Sequence, residues 1–595
     1  MLSTVKYQRL LAIAATVIIL GSTFVLIGSR QLGQPSFEVG KYIMDGEEHV
    51  FMPPMLIWTE DSKFIEIEIT MVLPIIHHTN FIITPDDCLH ELTINGHKYE
   101  PNNLPYCDFI HGMPIDLGKY VKSGENVIHA RLFNYGGQAK LLIKPALSDG
   151  LSIGMFIAYI AILIACVFLI AVYFKIISTQ LMVLMILLYG FAIRLIYIAC
   201  TSAYTRGHDV DGHIEYIKYI ASHWSIPPLK GGWEFYHPPL YYFFGSLWYQ
   251  ISDFLGFADV AKIRGLQWFA FFVSICVLLL CAWIGYMLFR KQKFNLSIFL
   301  GICSMTPGIV FFSSRVNNDV LAHLMMFSSF ALLIYWWKRQ RNDDWRLWLF
   351  VITITGLGIL SKSNVIVILP IAYILLAAHK KYSIKQKLVF GYMGILIITV
   401  LTGWYFAYRI FFEKQSHMIE NSSNLNYHLQ IKNTPENFFE FNPVRMVFHP
   451  YNNAWDDSEG RQFFFEYLFR SAFFGEFDHG KALVPLAQLL ILMASLLCIP
   501  LVLNFWRTIR HKDYELLPVW LCFIIVMMSH LALRIFTPSS PAQDFRLSPL
   551  LLIPCAYFAI KGIDDLKGWV RVFFKTCLFL FISLCILFIL LLCLQ

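Results

Sequence analysis

Apolar and polar residues follow two different rhythms along this chain, and the change falls near residue 150. Over most of the length the apolar residues form blocks of about 17 to 25, enough to cross a hydrocarbon core as a helix. Such blocks lie near 10–28, 151–174, 181–200, 265–289, 295–313, 318–337, 346–360, 364–378, 388–410, 482–503, 516–535, 546–560 and 571–593. They predict a polytopic α-helical membrane protein of about 13 spans. Between the first two blocks the period drops to two. Phe64-Ile65-Glu66-Ile67-Glu68-Ile69 alternates, and Asn95-Gly96 is a hairpin-turn pair between Leu92-Thr93-Ile94 and His97-Lys98-Tyr99.

Three segments follow from these rhythms: an N-terminal membrane anchor over 1–30, an extracytoplasmic all-β domain over 31–150, and a multi-span module over 151–595 with long outer loops at 201–263 and 411–481. The first block also fits a signal peptide, but its apolar run is long and no small-residue cleavage site follows it. In the β segment, Ile115-Asp116-Leu117, Gly124-Glu125-Asn126 with the strand Val127 to Leu132, and Asn134-Tyr135-Gly136-Gly137 resemble galactose-binding-like jelly rolls. That likeness implies a sugar-binding role, against the plainer reading of a structural cap. Cys88 and Cys107 are the two cysteines well away from the apolar blocks. In an oxidising compartment they form a disulfide; two buried thiols are the alternative.

The composition agrees: 57% hydrophobic and 15% charged, against about 25% charged in a soluble domain. A cytosolic enzyme, a disordered chain and a fibrous chain are thereby excluded. The net charge of +7 comes from short basic clusters between the blocks, so it points to cytoplasmic loops on anionic lipid and not to nucleic acid. Lys6 with Arg9, Arg290 to Lys293, Lys338 to Arg346, Lys380 to Lys387 and Arg507 to Lys512 all fall on one side of the predicted spans. That side is the inside, which leaves 29–150, 201–263 and 411–481 outside.

Polar residues concentrate where the third block ends. Residues 206–213, Arg-Gly-His-Asp-Val-Asp-Gly-His, hold five ionisable side chains in eight positions, and Trp233-Glu234-Phe235-Tyr236-His237-Pro238-Pro239-Leu240-Tyr241-Tyr242 follows. Charge at a membrane boundary is costly, so such a cluster marks a site and not a solvated face. From Asp211 the spacing of Ile214, Ile217 and Ile220 predicts a short amphipathic helix lying along the interface. Trp233, Tyr236, Tyr241 and Tyr242 suit the headgroup level.

With Arg315-Val316-Asn317-Asn318-Asp319, Ser361-Lys362-Ser363-Asn364 and Gln543-Asp544-Phe545-Arg546, these motifs resemble, over about 181–560, the GT-C superfamily of integral-membrane glycosyltransferases. The likeness is to protein O-mannosyltransferases of glycosyltransferase family 39 and to bacterial lipid A aminoarabinose transferases. It implies transfer of a sugar from a polyprenyl-phosphate-linked donor to a protein, lipid or glycan acceptor, at the outer face of a bacterial cytoplasmic membrane. Asp209 or Asp211 would be the general base of an inverting displacement, with Asp209 favoured as nearer the span. Arg315, Lys362 and Arg546 would receive the phosphate; His213, Glu234, His237 and Asp319 complete the substrate-binding set.

Bland alternatives stand beside each role. The three cations also fit side chains snorkelling to the interface, and Asp319 fits a helix N-cap. A divalent metal is a further reading, since His208, His213 and His237 with Asp209 and Asp211 offer mixed nitrogen and oxygen ligands. Outer loop 411–481, with Trp455-Asp456-Asp457, Arg461, Arg470 and Phe473 to Phe477, would add acceptor contacts or a lid. A transporter of a sugar or lipid-linked sugar, and a membrane-anchored carbohydrate-binding protein, are the competing classes. No inverted repeat supports the first, and the second leaves the Asp209 cluster unexplained.

Overall fold

The structure, a computed structural model, describes residues 35–145 except 38–39, 52–54, 60, 74–78, 100–103 and 108–111, and residues 179–593 except 291, 342–343, 415–426 and 512. The predicted spans at 10–28 and 151–174 lie outside the described residues. The chain divides into two compact units, one ending and the other beginning near residue 170.

The first unit is a pair of antiparallel sheets. Its described strands are β1 (Ser36–Phe37), β2 (Gly40–Met44), β3 (Glu47–Phe51), β4 (Met55–Thr59), β5 (Lys63–Leu73), β6 (Asn80–Pro85), β7 (Cys88–Ile94), β8 (His97–Lys98), β9 (Met113–Asp116), β10 (Gly124–Asn134) and β11 (Gly137–Pro145). One sheet runs β3-β2-β5-β10-β7-β8 with β1 also on β5, and the other runs β4-β11-β6-β9. Period two sets the register: β5 and β10 pair along their whole length, with Ile69 opposite Ile128. Ile65, Ile67 and Ile69 thereby point inward with Phe81, Ile83 and Leu141 of the other sheet, while Glu66 and Glu68 stay outside. The Asn95-Gly96 turn closes β7 on β8 with positive φ at both residues, 50° and 79°. The buried Asn126 side chain receives Asn95 Nδ2 at 2.9 Å, which ties that turn to β10. Cys88 and Cys107 are joined by a disulfide.

The second unit is helical. Seven described helices are long and apolar enough to cross a membrane, Gln180–Cys200, Ala261–Phe289, Asp319–Arg339, Ile384–Phe412, Val484–His511, Tyr514–Phe536 and Gly568–Leu592. The pair Lys293–Met305 and Pro307–Ser314, bent by 54°, makes an eighth. The bend falls where Thr306 precedes Pro307, because a proline pushes the residue before it out of the helical region.

Among the described residues that makes seven or eight long spans, where eleven of the expected blocks fall. The blocks at 346–360, 364–378 and 546–560 are shorter helices, Trp345–Ser361, Ile368–Ala378 behind a 3-10 turn, and Leu552–Asp565 behind turns containing Pro541 and Pro549. Each still runs between the same two ends of the bundle. At one end Lys338 binds the Met287 carbonyl, Tyr514 binds the Ala378 carbonyl, and Arg507 pairs with Asp565 at 2.8 Å. The clusters around Arg290, Lys338, Lys380 and Arg507 therefore share that end. At the other, Asn318 Nδ2 donates to the Ser361 carbonyl at 3.3 Å and Asn364 Nδ2 to the Leu547 carbonyl at 3.1 Å.

Candidate active site

At the end opposite the basic clusters, residues 205–242 fold over the bundle. Helix Val210–His223 buries Val210, His213, Ile214, Tyr216, Ile217 and Ile220, the face that the isoleucine spacing specifies. Helix Leu240–Phe254 follows, and its Tyr242 stacks on Tyr216 with ring centroids 3.8 Å apart. Tyr241 and Tyr242 are thus fully buried within the protein, whereas Trp233 is 47% exposed. The turn between these helices is fastened from afar: buried Arg409, at the end of the Ile384–Phe412 span, donates to the carbonyls of Pro227 and Phe235.

Beneath this cover, chain segments far apart in sequence meet. Asp319, fully buried, accepts from Lys362 Nζ at 2.6 Å, and Arg546 Nη1 lies 4.0 Å away. Asp319 is the first helical residue after the cap Asn318, and its carboxylate makes no cap bond, which sets the N-cap alternative aside. Glu234 lies 2.8 Å from His237 Nε2 and 3.9 Å from His213, whose other nitrogen meets the Tyr242 hydroxyl at 2.8 Å. Burial holds His237 far below, and His213 down at about 3, so both imidazoles are neutral. Burial raises the Glu234 carboxyl.

Asp209 sits just ahead of helix Val210–His223 at φ 51°, in the left-handed region, where Asp and Asn are the side chains best tolerated. Burial and the neighbouring Glu234 push its carboxyl up, and Arg546 and His237 oppose them. Asp211 goes elsewhere. Its carboxylate hydrogen-bonds Tyr204 and faces Lys218, on the other side of the helix start, although burial raises it too.

Arg315, Lys362 and Arg546 are not snorkelling. Arg315 is 4% exposed, and its Nε and Nη1 have no hydrogen-bond partner among the described residues. It feels the fields of Asp544, Arg546 and Asp319. The side chains of Lys362 and Arg546 are 13% and 14% exposed.

Two carboxylates of this cluster were not singled out from sequence. Glu476, at the end of the outer loop, lies 3.6 Å from His208 Nδ1 and accepts from the Tyr467 hydroxyl at 2.8 Å. Burial and Asp544 push it up to about 7. Asp544 accepts the backbone N–H of Arg546 at 2.8 Å, and burial raises it as well. Asp209, Glu234 and Asp319 with Glu476 and Asp544 make five carboxylates, against the three cations Arg315, Lys362 and Arg546. His323 reads the same region, its Nε2 meeting the Arg546 carbonyl at 2.9 Å. The signals for Glu476 and Asp544 were thin: a Gly-Glu pair in an aromatic run, and an aspartate two residues before Arg546.

Elsewhere in the long outer loop the arginines are scaffolding. Arg470 donates to the His449 and Tyr451 carbonyls at 2.8 and 3.0 Å, and Arg461 to those of His428 and Ala454 at 2.6 Å. Asp456 caps its own turn through the Ser458 N–H at 2.9 Å.

Apolar helices thus carry acidic loops and buried cations at one end. Residues 236–406 match the family described as dolichyl-phosphate-mannose-protein mannosyltransferase. Among solved structures the chain is similar to ArnT from Cupriavidus metallidurans in the apo state, at 12% identity over 64% of this chain and 60% of that one, with a TM-score of 0.37. It is also similar to the arabinosyltransferase EmbB from Mycobacterium smegmatis, at 10% identity over 93% of this chain and 53% of that one, with a TM-score of 0.33. The chain thus spans less than two-thirds of either protein's length. No curated protein matches the sequence.

Proposed function

We propose that this protein moves a sugar from a polyprenyl-phosphate-linked donor to a protein, lipid or glycan acceptor at the outer face of the membrane. The observation that carries the reading is the buried Arg315 guanidinium, unpaired at two nitrogens among the described residues and gathered with Lys362 and Arg546 at one end of the membrane helices. A phosphate leaving a sugar needs such a receptor, preorganised and shielded from water. Asp209 supplies the other half, a carboxylate to take the acceptor hydroxyl's proton as that oxygen attacks the anomeric carbon and inverts it. Asp211 faces Tyr204, so the base role falls to Asp209. The outer face is supported by the basic clusters at the opposite end of the bundle. In this reading residues 31–150 form a jelly-roll accessory domain and 151–595 the transferase module.

The test is reconstitution in liposomes with polyprenyl-phosphate mannose as first probe and other polyprenyl-phosphate sugars in parallel. Release of polyprenyl phosphate that falls when Arg315 becomes Ala supports the reading. Substrate flux across the vesicle with no consumption of any donor would make the protein a transporter instead.

A further inference from the structure

We infer that His208, Glu476 and Asp544 form a binding site for one divalent transition-metal ion. Each offers one ligand atom, and the three atoms lie within 4.8 Å of one another. They come from three separate loops, so no local turn brings them together. One imidazole nitrogen and two carboxylate oxygens suit a borderline cation such as Zn2+ or Mn2+ better than Mg2+ or Ca2+, which favour oxygen alone. Bonds of about 2.0 to 2.2 Å require the three groups to draw inward on the ion.

Two further observations point at a ligand. His208 is only 9% exposed and its Nε2 has no hydrogen-bond partner among the described residues; Asp544 is 2% exposed and its Oδ2 likewise has none, Arg546 Nε standing 4.0 Å off. Buried polar atoms left without partners are costly and mark an unmet ligand. The second is the make-up of the cluster: five carboxyl groups gather with three cations, a surplus of oxygen donors that suits a divalent ion. The metal set differs from the one the sequence pointed to: His213 and His237 are turned to Glu234, and Asp211 to Tyr204.

Binding of the ion stands on these residues alone; its consequence for transfer rests on the function proposed above. The full-length protein, purified in detergent and stripped with chelator, is loaded separately with Zn2+, Mn2+ and Mg2+, freed of excess and measured by elemental mass spectrometry. The expected result is about one Zn2+ or Mn2+ per chain and little Mg2+. His208→Phe keeps a ring without a donor and should weaken binding by roughly tenfold or more, as should Asp544→Asn, while His208→Cys keeps a donor and restores binding. Asp211→Asn should leave it unchanged. Loading that does not depend on His208 and Asp544, or no loading at all, overturns the inference even if donor is consumed. Loading with this dependence but without donor consumption keeps the metal site and overturns the transferase reading.

Discussion

Asp209 and Asp211 stand two residues apart on the same loop, yet one faces the buried cluster and the other a tyrosine hydroxyl. Asp209→Asn should therefore cut sugar transfer by roughly 100-fold or more, the scale of a lost general base, while Asp211→Asn stays near the parent rate. Asparagine accepts the left-handed backbone at Asp209, so folded yield should hold; initial rates at matched protein levels decide. Lys362 and Asp319 make a different kind of pair. Removing either partner strands a buried charge and should cost about 3–5 kcal/mol, whereas Asp319→Asn with Lys362→Met strands none and should recover most of the loss. Thermal denaturation followed by gel filtration reads both. Transfer should stay lost in the double variant, since in the proposed function Lys362 also serves the phosphate. At this scale the loop 206–213 was legible because five ionisable groups at a membrane boundary stand out locally. Glu476 and Asp544 were not, because a lone acid in an outer loop looks the same whether it meets water or His208.

Elements were legible according to whether their signal is local. Helix Val210–His223 and the β5 and β7–β8 strands follow from period and turn chemistry, which neighbouring residues set. Helix length is not local. Trp345–Ser361 and Ile368–Ala378 pack inside the protein, where a helix need not match the bilayer, and hydropathy cannot tell packing from lipid contact. The Asp319–Arg339 helix, which carries Asp319 and His323, has 72% of its apolar window buried, against 17% for Ile384–Phe412. In the β unit, the bend after β6 carries its own prediction. Burial, then the adjacent Asp87, raises Asp86 from 3.8 to about 6, with Lys140 opposing. The folded state binds the proton more tightly than the unfolded chain, so this residue destabilises above pH 6 and the penalty fades as pH falls from 6 towards 4. Asp86→Asn should stabilise the unit by about 1 kcal/mol at pH 7, after allowance for partial exposure, and lose that pH dependence. Hydrogen exchange of β6 and β7 peptides in the full chain, at several pH values, measures it.

For the whole molecule the decisive quantity is sidedness. The alternation of basic and non-basic ends holds where the blocks are short helices too, because these run between the same two ends. Trp455 is 58% exposed at the site end, and Lys385 is exposed at the other. With Trp455→Cys and Lys385→Cys, each compared with the parent chain, a membrane-impermeant maleimide should label the first in sealed cells and the second only after permeabilisation. The reverse pattern would turn the cluster inward and end the reading of an outer-face transferase.

Hydropathy, charge placement and the Asp209 loop were determined by the sequence itself, because each depends on what neighbouring residues are. They are enough to place the chain in a membrane and to mark one end of the bundle as the chemical end. The tertiary structure alone decided which groups meet. It took Asp211 out of the cluster and brought Glu476 and Asp544 into it. It also paired Lys362 with Asp319 across two helices and left Arg315 without a partner at two nitrogens among the described residues. Those outcomes depend on contacts between segments distant in the chain, set by how the helices pack, and no local period or composition carries that information.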